Sequence, residues 1–155
     1  MWEIREINLT FDANIDQLRE LHRSHFTKTK PYMSYSDAIS LFTNRLKSFV
    51  TFKDATMCYG MCKMTVERDF FTAEGGYKKL EFVEFLEYIA RIANEKYKTD
   101  IPLYEKVEKV LDNVLALIDA DRKEMRRKIL VKQQFQWSES EEEVESDREV
   151  NQSSG

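Results

Sequence analysis

Between Leu80 and Ala93 the chain crowds apolar side chains at Phe82, Phe85, Leu86, Ile89, Ala90 and Ala93. That spacing leaves one regular solution, a helix buried along a wide stripe. The rest of the chain agrees with it. Only four Gly and two Pro occur in 155 residues, too few for a turn-rich β fold. Ten Phe and seven Tyr supply large units of burial for a helical core, and 42% hydrophobic content is enough for one folded domain. The expected class is therefore all-α.

The periodicity predicts about five helices. Residues 1–13 read as an extended arm, because Trp2, Ile4, Ile7 and Leu9 partly alternate. Asn14 is placed to cap a helix bearing Ile15, Leu18, Leu21 and Phe26. Pro31 disfavours helix at Lys30 and ends it. Ser34 and Asp37 have capping-box spacing before Ala38, Ile39, Leu41, Phe42 and Leu46. Thr51 and Asp54 repeat that spacing before a helix reaching about Met64, and residues 67–78 form a loop containing Gly75-Gly76. A helix from about Phe82 to Lys96 follows. Pro102 stands near the first turn of a last, long helix over residues 101–134, carrying Leu103, Val107, Val110, Leu111, Val114, Leu115 and Ile118. Residues 137–155 turn to Ser, Glu and Asp and are expected to be a disordered acidic tail.

Two of these segments share a pattern. Leu80, Phe82 and Glu84-Phe85-Leu86 give an apolar residue, an aromatic two places on, and an acid opening a helix. Met33, Tyr35 and Asp37 repeat it. Residues 14–97 thus resemble an EF-hand pair of the calmodulin superfamily, with Met33 and Leu80 at the eighth loop position, where paired hands meet. The segments 51–65 and 80–93 also resemble calcium-independent EF-hand-like modules of ciliary and cytoskeletal proteins. The resemblance implies two back-to-back helix–loop–helix units and an adaptor role. It does not imply calcium binding, which takes oxygens at loop positions one, three and five and a bidentate Glu at twelve. With Glu84 at twelve, the first, third and fifth are Ala73, Gly75 and Tyr77, and the sixth is Lys78 rather than Gly. With Asp37 at twelve they are Phe26, Lys28 and Lys30, two of them cations. Starting the second loop at Glu67, Asp69 or Glu74 puts Lys78, Leu80 or Phe85 at twelve, none of them an acid.

Charge is unevenly spread. Residues 138–155 hold seven acids and one Arg, a net of −6, which leaves +2 for residues 1–137 of the total −4. No dense basic surface of a nucleic-acid binder is present, and no apolar run approaches the roughly 18 residues of a membrane span. The absence of a signal peptide and two unpaired-looking cysteines suggest a reduced, cytoplasmic setting. Arg122, Arg126 and Arg127 make a candidate basic docking face, for an acidic surface or for the chain's own tail. Ser138, Ser140 and Ser146, each three residues before an acid, are candidate phosphorylation sites. Met57, Met61 and Met64 give a soft helix face, and Met57, Met61, Phe85 and Ile89 are candidates to line a groove for an amphipathic helix. That helix could belong to a partner protein or to residues 103–130. His22, His25, Cys58 and Cys62 could in principle hold zinc, but their spacings are not those of a finger. No phosphate-binding Gly loop, nucleophile elbow or His-Glu-x-x-His occurs, so neither catalysis nor a cofactor is expected. The reading is a calcium-independent adaptor or scaffold, cytoskeletal or ciliary by resemblance. The alternative is a calcium-responsive regulator.

Overall fold

The computed structural model describes residues 2–63 and 76–152, with side chains from 4 to 63 and from 76 to 139. These residues form six helices: α1 (Trp2–Ala13), α2 (Ile15–Ser24), α3 (Tyr35–Ser40), α4 (Phe52–Cys62), α5 (Phe82–Lys96) and α6 (Leu103–Gln152). Two short strands, β1 (Met33–Ser34) and β2 (Lys79–Leu80), pair antiparallel with Met33 opposite Leu80 and Ser34 opposite Lys79. The class is all-α. The Gly75-Gly76 loop and Met64 fall largely outside the described residues, which resume in a 3₁₀ turn at Gly76–Lys78.

The chain divides into two compact units, Met1–Ile118 and Asp119–Gly155. In the first, a single core gathers residues from α1 to the start of α6, including Phe11, Leu18, Phe42, Tyr59, Phe85, Ile92, Val107 and Val114. Tyr88 lies at its centre, fully buried, with its hydroxyl donating towards the carbonyls of Ala38 and Ala55 at 3.4 and 3.3 Å. Those two bonds satisfy the one polar atom that so large a buried ring brings with it.

Local chemistry accounts for the helix starts. Ser34 Oγ accepts from Asp37 N at 3.2 Å while Asp37 accepts from Ser34 N at 2.9 Å, a complete capping box. Thr51 Oγ1 accepts from Asp54 N at 3.1 Å. Asn14 makes no such cap; its side chain donates back to Thr10 O at 3.0 Å and joins α1 to α2. The helix begun at Tyr35 widens into a π-helical turn over Leu41–Arg45 and stops at Lys47 and Ser48, with φ of 49° and 58°. Left-handed backbone without glycine is costly and ends the helix abruptly.

Three sequence expectations need correction. Residues 2–13 are helix, not an extended arm. Ile7 and Phe11 are one turn apart and pack on the core, whereas Ile4 and Leu9 are exposed, so the helical period and not the alternation was the signal. The tail does not lose structure at 137, because α6 runs on to Gln152. Glu is a good helix former, and neither Gly nor Pro occurs between Leu103 and Ser154. The packed part of that helix is also shorter than residues 101–134. Burial ends at Ile118, and every residue from Asp119 to Glu139 is exposed, the apolar Met125, Ile129, Leu130, Val131, Phe135 and Trp137 included.

Candidate functional site

The β1–β2 bridge organises the most unusual chemistry in the first unit. Each strand leads into a helix whose third residue is an acid, Asp37 in α3 and Glu84 in α5. Glu84 Oε2 accepts from Glu81 N at 3.1 Å, as Asp37 does from Ser34 N. Each carboxylate then receives a lysine. Lys30 Nζ donates to Asp37 Oδ2 at 2.6 Å and lies 3.3 Å from Ser34 Oγ. Lys63, just beyond the end of α4, sends its ammonium to Glu84 Oε2 at 2.6 Å and to the backbone carbonyl of Lys79.

The two pairs differ in depth. The Lys63 and Glu84 side chains are 3% and 10% exposed, those of Lys30 and Asp37 31% and 24%. A buried pair tolerates so little water only if further hydrogen bonds complete it. The Lys79 carbonyl and the Glu81 N–H do so here. Burial pushes the Asp37 carboxyl up, but its bonds from Lys30 and Ser34 more than offset this and hold it below its ordinary value.

His22 ties the halves together. Its Nε2–H donates to the carbonyl of Leu80 at 2.8 Å, linking α2 to β2. The ring sits among Phe26, Phe82 and Phe85, with centroids 5.2, 5.6 and 5.5 Å away. Burial there lowers its pKa below 6.5, against the opposing pull of the Leu80 bond.

Two lysines hold oxygens that the expected loop register would give to calcium. In the loop register of the resemblance, Glu84 is the twelfth position and Lys79 O the seventh, both calcium ligands in a working loop. Lys63 Nζ bonds to both of these oxygens. Lys30, at the fifth position of the first loop, lies on that loop's twelfth. Ala73 and Gly75 lie outside the described residues, as do Glu67, Asp69 and Glu74. Among the described residues no three His, Cys, Asp or Glu side chains gather as a metal site. Cys58 and Cys62 are buried free thiols raised by burial to about 11 and about 12, so they stay protonated at neutral pH.

The expected groove is split. Phe85 and Ile89 are fully buried in the core and cannot line an open cleft. The first part of α6 contributes Val107, Val110, Leu111, Val114 and Ile118 to that same core. Met57 and Met61 are 44% and 55% exposed and border a cleft of about 460 Å³ with Glu87, Arg91, Asn94 and Leu103. A larger concavity of about 1000 Å³ lies beside the left-handed turn, between Tyr35, Thr43, Ser48, Phe52 and Lys96. Arg122, Arg126 and Arg127 are exposed on the second unit. Ser138 is exposed there and donates to Phe135 O at 2.9 Å, whereas the side chains of Ser140 and Ser146 lie outside the described ones.

Sequence reasoning singled out Lys30 but missed Lys63 and the role of His22. The available signal for Lys63 was a lysine at the end of a predicted helix, ahead of the segment in which the resemblance puts Glu84 at the twelfth position. No family model, curated protein or solved structure matches the chain.

Proposed function

We propose that residues 14–97 are a degenerate EF-hand pair that serves as a calcium-independent protein-binding adaptor. The observation that carries this reading is Lys63, whose ammonium spans Glu84 and the Lys79 carbonyl. A cation fixed in the chain satisfies these oxygens permanently, so the hairpin needs no ion to close and offers none a vacancy. The antiparallel bridge at Met33 and Leu80 supports the paired-hand reading. The exposed Met57 and Met61, beside a cleft, support recognition of an amphipathic helix from another protein. The resemblance points to cytoskeletal or ciliary assemblies as the setting, and no catalytic role is proposed. Among the described residues no helix is long and apolar enough to cross a membrane.

Calcium titration from micromolar to millimolar levels, followed by calorimetry and amide spectra, tests the first half. No saturable heat and no shift at residues 76–84 are expected. Saturable binding with shifts there would establish the calcium-responsive regulator instead. Affinity capture from ciliated and unciliated cell extracts tests the second half. Proteins retained by the native chain and lost with Met57→Glu/Met61→Glu are the expected outcome.

A further inference from the structure

We infer that the outer face of α4 is a notched seat for one amphipathic helix of a partner protein, with an aromatic side chain of that helix resting on Gly60. This rests on the adaptor reading above and names the chemistry of its partner. Gly60 lies inside the last turn of α4 and is exposed. Glycine weakens a helix relative to alanine, because its backbone has more freedom to lose. Among the described residues nothing asks for it. No glycine there has a positive φ, so Gly60 is not a left-handed cap. A methyl built on it would meet only the Tyr77 hydroxyl, at 3.7 Å, an ordinary contact. The bare backbone at this position is accounted for by a close approach from outside the chain.

The surroundings select the occupant. Met57 and Met61 stand three residues before and one after Gly60 on the same face, 44% and 55% exposed. Their side chains and the Tyr77 hydroxyl wall a hole the size of a missing side chain. Thioether sulfur attracts aromatic rings, and a ring is the common anchor where a helix docks on a groove. The cleft of about 460 Å³ beside the two methionines, bordered by Ala90 and Leu103, takes the next apolar residues of the same helix. Charge fixes its direction. On the far wall the ions are answered within the chain: Arg91 holds Glu87 at 2.6 Å and Lys98 holds Glu95 at 2.8 Å. Asp54 accepts from Thr51 at 2.7 Å. Lys53, exposed one turn before Met57, enters no ion pair among the described residues. It stands seven residues from Gly60, about 10 Å along the axis. The occupant is thus a helix with an uncharged apolar stripe, an aromatic anchor, and an Asp or Glu about seven places from it. A basic helix would set its cations against Lys53, and a nucleic acid would find a single cation here.

The test is selection of a displayed library of randomised amphipathic helices on the full chain. Selected helices are expected to carry an aromatic residue and an acid about seven positions apart. Synthetic copies of them, titrated by fluorescence anisotropy, should bind Gly60→Leu at least about tenfold more weakly than the native chain. Lys53→Glu should weaken them at least about threefold. Replacing the peptide's aromatic residue with Ala should abolish most of the Gly60→Leu effect, since the two changes remove one contact. Gly60→Ala separates binding from folding: its urea midpoint should rise while its affinity falls. Amide spectra show whether Gly60→Leu keeps the native fold, and Gly60→Ala carries the test if it does not. A library that yields no helix overturns the proposal, as do helices that bind Gly60→Leu as well as the native chain, or enrichment of basic residues opposite Lys53. A native chain that sediments as a dimer, and that Gly60→Leu dissociates, makes the occupant a second copy and overturns it equally. The adaptor reading fails separately. Proteins captured from extracts that are lost with Met57→Glu/Met61→Glu but kept by Gly60→Leu leave that reading intact and remove the aromatic seat.

Discussion

Lys63 holds the Glu84 carboxylate and the Lys79 carbonyl with a single ammonium. Its worth depends on its partner's burial. Replacing Lys63 with Met leaves the Glu84 carboxylate in a nearly dry place, and breaking a buried pair from one side costs about 3–5 kcal/mol. Urea unfolding of Lys63→Met should show a loss of that order. Adding Glu84→Gln should recover more than half of it, since the amide oxygen still accepts from Glu81 N and no charge is stranded. Lys30→Ala removes a pair with more water around it and is expected to cost less than about 1 kcal/mol. His22 adds a pH dependence with a definite sign. Its folded pKa lies below the ordinary 6.5, so the unfolded chain binds the proton more readily. Stability is therefore full above pH 6.5 and falls as pH drops through the window beneath it. His25, also lowered by burial, acts in the same direction. Denaturation midpoints between pH 5 and pH 7.5 should rise with pH, and less steeply in His22→Gln, which can still donate to Leu80.

At the scale of elements, α6 is one helix with two environments. Its first four turns bury Val107, Val110, Leu111 and Val114, while the side chains of residues 119–139 are exposed. Truncation separates them. A chain ending at Asp121 should stay soluble and silent to a hydrophobic dye, whereas one ending at Asp100 should bind the dye or precipitate as the core loses its cover. Leu111→Ala in the full chain should cost about 2–5 kcal/mol, the usual penalty for a cavity at a buried Leu. Which elements were legible in the sequence follows from what encodes them. α5 was readable to its ends because its stripe is wide and its start carries Glu84; α4 was readable at its start from Thr51 and Asp54. The apolar character of Met33 and Leu80 marked where the two strands meet. α1 was hidden because Ile4 and Leu9 are apolar residues left in water, which blurs the period set by Ile7 and Phe11. The closed state of Phe85 and Ile89 was unreadable for a different reason. A buried stripe and an open groove are written with the same residues, and only the position of α6 distinguishes them. The Lys63 contact joins residues 21 positions apart, beyond any local pattern.

At the scale of the whole molecule, the core of the first unit is continuous from α1 to the start of α6, so its parts should open together. The two thiols sit inside that core, 2% and 1% exposed, and only their thiolates react quickly with alkylating reagents. With both held protonated, a maleimide added at neutral pH has almost nothing to attack until the unit unfolds. Cys58 and Cys62 thus form a native stopwatch: the rate at which reagent is consumed reads the frequency of global opening, with no probe engineered into the chain.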